Sequence, residues 1–284
     1  LVREAVVKTI DEIVAIYSAR SQASDDIKSR MRNLRDYYNG DVIVPLPEIN
    51  SDEQSAVANL LAQGLDQTAM RIASTRPDIF CPPTNPSKKR SQENASIRRK
   101  AIFGWWENSR MDLQLAKRAR HLIGYSTTVT QLRFNPKTGC PEWHLRDPLT
   151  AYPATLLGVD DMRPRDVVFA YERPLGYLRR LYPEVAIMFQ SNSVAGEDDP
   201  IEMIEYVSDE EQVLIAMQGP IKTGLYSSST YSDDTIVVEL ERTPNILGQC
   251  PVVCAERINL DGAQGQFDGI LGMYQMQARL MALE

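Results

Sequence analysis

The sequence predicts an α+β fold, with an N-terminal helical block, then an antiparallel β-rich block, then a long helix. Apolar residues recur at helical spacing through most of residues 1–125, whereas short runs rich in β-branched residues, separated by turn residues, fill 126–260. Segregated helices and strands are typical of α+β folds rather than of βαβ units. We therefore divide the chain into 1–50, helices and an extended strap; 51–125, a helical region with a basic band; 126–260, the β-rich region; and 261–284, the start of a long helix.

Two helices are predicted in the first segment. Residues 1–19 are moderately amphipathic, and a second helix runs from Asp25 to Asn39, with Ser24 as its cap and Asn39-Gly40 as its stop. Its apolar stripe consists of Ile27, Met31, Leu34 and Tyr38. Residues 42–49 contain two prolines, which disfavour a helix and predict an extended strap.

Three further helices are predicted before residue 126. Ser51, with Gln54 three positions later, has the capping-box pattern and opens a long helix that Pro77 ends. The apolar stripe of this helix is Val57, Leu60, Leu61, Leu65, Thr68, Ile72 and Ala73. After a proline-rich connector, Ser87 is expected to cap a helix towards Arg110. The last helix, Asp112 to Ile123, is predicted to close on Gly124 in a left-handed cap.

The β-rich segment is expected to form antiparallel strands. The predicted strands are Thr127–Phe134, Glu142–Arg146, Asp166–Glu172, Ile201–Val207, Gln212–Met217, Thr235–Glu241 and Pro251–Ile258. The first two flank a glycine-containing turn, which predicts a hairpin. A short helix is predicted over Leu175–Leu181, with polar loops over Gln190–Pro200 and Gly224–Asp234.

The helical pattern that begins at Gln266 has no stop signal before Glu284. We therefore expect these residues to be a segment of a longer polypeptide.

Charge is distributed unevenly along the chain. The net charge is −7, but residues 88–120 hold ten basic residues against three acidic ones, which is +7 locally and leaves −14 elsewhere. The basic residues are Lys88, Lys89, Arg90, Arg98, Arg99, Lys100, Arg110, Lys117, Arg118 and Arg120. A mostly acidic chain with one basic band is not a general nucleic-acid binder, because phosphate affinity grows with the number of cations that reach the backbone. The pattern suits an acidic partner surface or a ring of like subunits.

The basic band leaves two interpretations open. Its cations spread around a helix, which favours a solvated face, but a contact with nucleic acid or with a neighbouring subunit fits the same pattern. Trp105 and Trp106, near the end of that helix, are expected to be core or subunit-interface anchors rather than platforms for base stacking.

No catalytic, cofactor or metal site is predicted. The sequence contains neither a phosphate-binding P-loop nor a metalloprotease helix, and its only histidines, His121 and His144, lack ligand spacing. Cys250 and Cys254 would lie on one face of a strand but too far apart for a disulfide, so all four cysteines are expected to be reduced. There is no apolar run of about 18 residues and no signal-peptide pattern. We therefore predict neither membrane insertion nor secretion.

Five short segments of the sequence follow one another in an order that can be compared with known families. They are Leu34-Arg-Asp-Tyr-Tyr-Asn-Gly-Asp41, the helix over 59–78, the helix leading into a hairpin over 115–133, Leu145-Arg-Asp-Pro-Leu-Thr-Ala-Tyr-Pro153, and Pro251-Val-Val253 followed by Phe267-Asp-Gly-Ile270 and Gln275-Met-Gln-Ala278. In this order they resemble the portal proteins of tailed bacteriophages, in the siphophage-like branch. On that resemblance the chain corresponds to a wing-like region leading to a stem, and the stem, clip and crown would largely follow Glu284.

The resemblance implies a structural protein and not an enzyme. It implies a homo-oligomeric ring, a dodecamer, at one capsid vertex of the virion, assembled in the host bacterial cytoplasm and without a membrane. Its implied partners are the major capsid protein, the terminase packaging motor, the head–tail adaptor and the double-stranded DNA that passes through the channel during packaging and ejection. The rival hypothesis is a DNA-binding or DNA-modifying protein that uses the basic helical residues 88–120.

Overall fold

A computed structural model describes residues 7–41, 59–75, 78–135, 139–154, 156–158, 161–189, 196–218, 236–256, 265–273 and 276. The chain divides into two compact units with interleaved sequence. Unit 1 comprises Leu1–Lys28, Val129–Leu132 and Arg146–Cys254, and unit 2 comprises Ser29–Thr128, Arg133–Leu145 and Ala255–Glu284. The four-segment division of the sequence stays a prediction.

The predicted α+β class is confirmed, because helices precede antiparallel strands. The helices are α1 (Ile10–Ala23), α2 (Asp25–Asn39), α3 (Leu60–Ala73), α4 (Lys89–Asn108), α5 (Met111–Tyr125), α6 (Leu175–Leu181) and α7 (Pro183–Met188), with 3-10 turns at Pro148–Thr150 and Asp268–Ile270. The strands are β1 (Thr127–Asn135), β2 (Cys140–Arg146), β3 (Ala151–Pro153), β4 (Leu156–Gly158), β5 (Asp161–Pro164), β6 (Asp166–Pro174), β7 (Pro200–Ser208), β8 (Glu211–Gln218), β9 (Ile236–Pro244) and β10 (Val252–Glu256). Most of the predicted final helix lies outside the described residues. Within it, the described residues 271–273 and 276 are helical.

Unit 1 is built on a five-stranded antiparallel sheet with the order β3-β6-β7-β8-β9. Strand β7 lies at its centre and pairs with β6 and β8, with Val168 opposite Tyr206 and Tyr206 opposite Val213. Side chains alternate between the two faces, as the period of a strand requires. One face packs against Ile13 and Val14 of α1.

The other face of this sheet is covered at two places. Helices α6 and α7 cover one part, with the buried residues Leu175, Leu178 and Ala186 against Met203 and Ala216. Residues of β1 and β10 cover another part, in a cluster that includes Val129, Val252, Cys250 and Cys254. Because both faces of the sheet are buried, the sequences of its strands are runs of apolar residues and do not alternate between polar and apolar residues.

Unit 2 has its core where α3 packs against α5. Leu61, Leu65 and Ala69 of α3 are buried at four-residue spacing, and Ala69 packs with Ala119 and Ile123 of α5. This packing corrects the predicted stripe, because Ile72 is 53% exposed. Helix α3 begins at Leu60, where the Asn59 side chain accepts a hydrogen bond from the backbone N–H of Ala62 at 2.9 Å.

Gly124 is not a helix cap, contrary to the prediction. It lies inside α5, and a Cβ atom there would approach Leu34 Cδ2 at 3.1 Å and Leu65 Cδ1 at 3.3 Å. The left-handed residue that follows α5 is Ser126, with φ of 66°. A glycine near a helix end can therefore serve close packing rather than termination.

The remaining differences concern helix starts and short elements. Helix α1 begins at Ile10, after a capping box between Thr9 and Glu12. Lys88 rather than Ser87 occupies the cap position of α4, and it makes no side-chain capping hydrogen bond. Strands β3, β4 and β5 and helix α7 were not predicted, because elements of three to six residues carry little periodicity. The strap at 42–49, the start at Ser51 and the loop over Gly224–Asp234 lie outside the described residues.

Candidate functional site

Helix α4 carries most of the basic band and lies largely on the surface of unit 2. Of its 20 residues, only Ala95 and Trp106 are buried. These two residues are 11 positions apart, which is about three helical turns, so they lie on the same line of the helix. A helix this rich in charged residues contacts its unit along a narrow line and exposes the rest.

Both tryptophans anchor α4 within unit 2. Trp106 is buried, and its Nε1–H donates to Asp112 Oδ1 at 2.9 Å. Trp105 Nε1–H donates to the carbonyl oxygen of Pro141 at 2.6 Å, and its ring meets Trp143 edge-on with 5.5 Å between centroids. The structure thus places the predicted anchors in contacts inside the chain, where they tie α4 to α5 and to the β1–β2 hairpin.

The exposed cations of α4 fall on two faces, because successive helical residues turn by about 100°. Arg90 and Arg98 share one face with Ser91, Asn94 and Ile97, which we call the arginine face. Lys89 and Lys100 share another, which we call the lysine face. All four cations are exposed, and none forms an ion pair with a described residue.

Arg99 differs from its neighbours because it is paired. Its Nη2–H donates to Asp78 Oδ1 at 2.9 Å, and its guanidinium lies 5.6 Å from the ring centroid of Phe103. Both members of the ion pair are well exposed, so its contribution to stability is small.

Arg118 and Arg120, on α5, are engaged inside unit 2. The guanidinium of Arg118 lies 5.4 Å from the ring centroid of Trp143, and burial lowers the pKa of Arg118. Arg120 Nε–H donates to Asp66 Oδ1 at 2.7 Å. These two predicted contact residues are therefore committed to the packing of α5, whereas the neighbouring Lys117 is exposed.

A groove of about 640 Å³ runs along the arginine face at the start of α4. Its lining consists of Thr84, Asn85, Lys88, Arg90, Ser91, Asn94, Ile97 and Arg98. Three of these eight side chains are cations and four are hydroxyl or amide groups. No acidic residue is among the described residues that line the groove, so its lining carries a net positive charge.

No family model matches this chain, and no curated protein matches it significantly. The resemblance to portal proteins therefore stays a prediction.

The polar groove residues Thr84, Asn85, Ser91 and Asn94 were missed by sequence analysis. The spacing of Ser91, Asn94 and Arg98, at i, i+3 and i+7, is the signal that places them on one helical face. Thr84 and Asn85 carry no such signal, because they belong to the connector. Asn85 is held there by a hydrogen bond from its backbone N–H to Ser91 Oγ at 2.9 Å.

The other candidates for chemistry are dispersed. His121 lies beside the ring of Tyr125 on α5, and His144 lies 3.5 Å from Glu142 on β2. Across the part of the chain that the structure describes, no group of three potential metal ligands comes together. Within the same residues, no helix combines the length and the apolar character that crossing a membrane requires.

Proposed function

We propose that this chain is a structural subunit of a ring, of the portal type found in tailed bacteriophages, and that the lysine face of α4 contacts an acidic surface of the neighbouring subunit. The observation that carries the proposal is the exposure of Lys89 and Lys100 without ion pairs to described residues, on a chain whose residues outside 88–120 sum to −14. In this proposal, the lysine face and the acidic remainder of the chain supply the two complementary surfaces of each subunit.

A closed ring requires heterologous contacts, in which one face of a subunit meets a different face of the next. A positive face against a negative one favours this head-to-tail pairing and disfavours the pairing of like faces. The acidic excess also suits a channel, because a tunnel through which DNA moves must not bind its phosphates tightly. In this proposal the ring serves DNA packaging and ejection at a capsid vertex, joins the terminase motor and the head–tail adaptor, and carries no enzymatic activity of its own.

The contacts of the α4 cations support the choice of residues for this interface. Arg98, Arg99 and Lys100 are consecutive, but Arg99 pairs with Asp78, Arg98 faces the groove, and Lys100 shares a face with Lys89. We therefore assign the contact to the two lysines.

Electron microscopy of the purified full-length protein tests the proposal. We expect rings with a central channel, and we expect the Lys89→Glu/Lys100→Glu variant to form fewer rings than wild type. The deficit should be larger at low salt than at high salt, because screening weakens exposed charge contacts. An Arg90→Glu/Arg98→Glu variant carries the same change in charge and is the matched control. Monomers or compact dimers without a hole in the wild-type images would contradict the proposal.

The rival function is DNA binding, and the groove on the arginine face favours it as a second candidate. A titration of duplex DNA at several salt concentrations separates the two functions. Several phosphate contacts give a steep loss of affinity with salt, whereas a portal subunit should bind DNA weakly at every concentration.

A further inference from the structure

The groove at the start of α4 concentrates positive charge that described residues do not neutralise. Lys88 and Arg90 form no ion pair with a described residue. Arg98 Nε–H donates to the carbonyl oxygen of Asn94 at 3.4 Å. Among the described residues, its two terminal nitrogens have no hydrogen-bond or ion-pair partner and can donate to a ligand. Three cations thus line one concavity of about 640 Å³.

The surroundings increase the electrostatic cost of this arrangement. Lys88, Lys89 and Arg90 stand at the first turn of α4, which contains no acidic residue and no side-chain cap. Cations at this end of a helix are unfavourable, because the helix dipole is positive there. An anion in the groove would relieve the repulsion among the cations and the repulsion between them and the dipole.

The donors in the groove are suited to an oxyanion with several oxygens. A guanidinium presents two parallel N–H groups to a pair of oxygens, and a lysine ammonium adds a point charge. Ser91 Oγ accepts from the backbone of Asn85, so its own O–H can still donate. A phosphate oxygen can accept a hydrogen bond from each of these kinds of donor.

We propose that the groove formed by Lys88, Arg90, Ser91 and Arg98 binds a phosphate group. The group can belong to a small polyphosphate or to a nucleic-acid backbone, since both present the same oxygens. The site does not depend on ring formation, and it lies on a different face of α4 from the lysine contact proposed above.

The test measures binding of two probes to the 284-residue chain at about 0.1 M salt, where the Debye length of about 10 Å limits the reach of charges outside the groove. Sodium pyrophosphate is titrated by calorimetry, and a fluorescent duplex of about 20 base pairs is titrated by anisotropy. The Arg90→Gln/Arg98→Gln variant should lose affinity at least about tenfold for whichever probe binds, since each arginine supplies charge-assisted hydrogen bonds. The Lys89→Gln/Lys100→Gln variant removes equal charge from the lysine face and should change affinity by less than about threefold. Far-ultraviolet circular dichroism verifies that both variants fold, and Arg98→Gln alone is a milder second variant.

The two probes distinguish the sources of the phosphate. Groove-dependent binding of pyrophosphate supports a small polyphosphate, and groove-dependent binding of the duplex alone supports a nucleic-acid backbone. The proposal is overturned if wild type binds neither probe at about 1 mM, which corresponds to a binding free energy near −4 kcal/mol. The proposal is also overturned if the two double variants lose affinity equally, because that result would show only a non-specific electrostatic attraction between the basic helix and the anionic probe. Rings in electron micrographs with no binding of either probe would leave the portal proposal standing and remove this one.

Discussion

Arg120 donates a hydrogen bond from Nε to Asp66 Oδ1 over 2.7 Å, and this ion pair joins α5 to α3. Tyr38 O–H donates to the same oxygen at 3.1 Å, so one carboxylate oxygen ties three helices of unit 2 together. Burial, followed by this hydrogen bond, raises the pKa of Tyr38, which keeps the phenol protonated as a donor.

Replacing Asp66 with alanine should destabilise the protein more than replacing Asp78. The side chains of Asp66 and Arg120 are 40% and 35% exposed, so we discount the pair for solvent and expect a loss of about 1 kcal/mol. The Asp78 side chain is 78% exposed, and Asp78→Ala should cost less than about 0.5 kcal/mol. Urea unfolding measures both variants. Equal losses would show that the Asp66 contact is no stronger than a surface pair.

Valine at Gly124 should be strongly destabilising, whereas valine at Gly104 should not. A Cβ atom at Gly124 would lie 3.1 Å from Leu34 and 3.3 Å from Leu65, and overpacking of this kind costs about 1–3 kcal/mol. Gly104 is inside α4, and a Cβ atom there would meet nothing within 4 Å, so Gly104→Val should stay within about 0.5 kcal/mol of wild type. Thermal unfolding of the two variants makes the comparison. A tolerated Gly124→Val would mean that the two leucines move aside freely.

Lys28 should contribute to stability despite its burial. It is 5% exposed, its Nζ donates to the carbonyl oxygens of Pro148 and Ala151, and it lies 4.6 Å from the ring centroid of Tyr152. Lys28→Met removes a costly buried charge but leaves two acceptors unsatisfied, and we expect a net loss of about 2 kcal/mol. Lys89→Met, at an exposed site in the first turn of α4, is the control and should be neutral or slightly stabilising, by less than about 0.5 kcal/mol. Urea unfolding that gave Lys28→Met the stability of wild type would contradict this role.

Alkaline pH should destabilise the protein in part through Cys250. Burial raises the pKa of this thiol from 9.0 to about 12. Above pH 9 the unfolded chain loses this proton while the folded chain keeps it, so the folded state loses stability as the pH rises towards 12.

Between about pH 8 and about pH 10.5, the free energy of unfolding should therefore fall by about 2 kcal/mol more in wild type than in Cys250→Ala. Denaturant unfolding at the two pH values measures this difference. Cys140→Ala, which changes an exposed thiol, should follow wild type. An equal fall in wild type and Cys250→Ala would show that Cys250 ionises alike in both states.

The sequence predicted the elements that have strong periodicity. Helix α2 and the short helix α6 have the predicted bounds, and the apolar runs of β7 and β8 are inner strands of the sheet. N-caps were predicted less well. Ser87 and Lys88 are neighbours at the start of α4, and only the three-dimensional path of the chain decides which of them begins the helix. Gly124 shows the same limit, since its function depends on Leu34 and Leu65, which are distant in sequence.

The sequence composition revealed the basic band, but it did not show which of its cations pair with other side chains and which remain exposed. Arg99, Arg118 and Arg120 have the same charge as Arg90 and Arg98, yet their contacts with Asp78, Trp143 and Asp66 come from other elements. The buried polar residues of unit 1 were missed for the same reason. Arg146 donates to Glu205 at 2.7 Å across 59 residues of sequence, and no local pattern signals such a pair.

The interleaving of the two units has a consequence for synthesis on the ribosome. Unit 1 needs its first helix, part of β1 and the strands up to Cys254, and the backbone N–H of Lys8 donates to Glu211 across 203 residues. Helix α1 therefore leaves the ribosome long before the strands that bury it. Ile13 and Val14 stay exposed while the residues of unit 2 that come between α1 and these strands in sequence are synthesised. Contacts this distant in sequence slow folding and leave apolar surface open to aggregation. Helix α1 is therefore open to aggregation throughout the synthesis of the unit 2 residues that follow it.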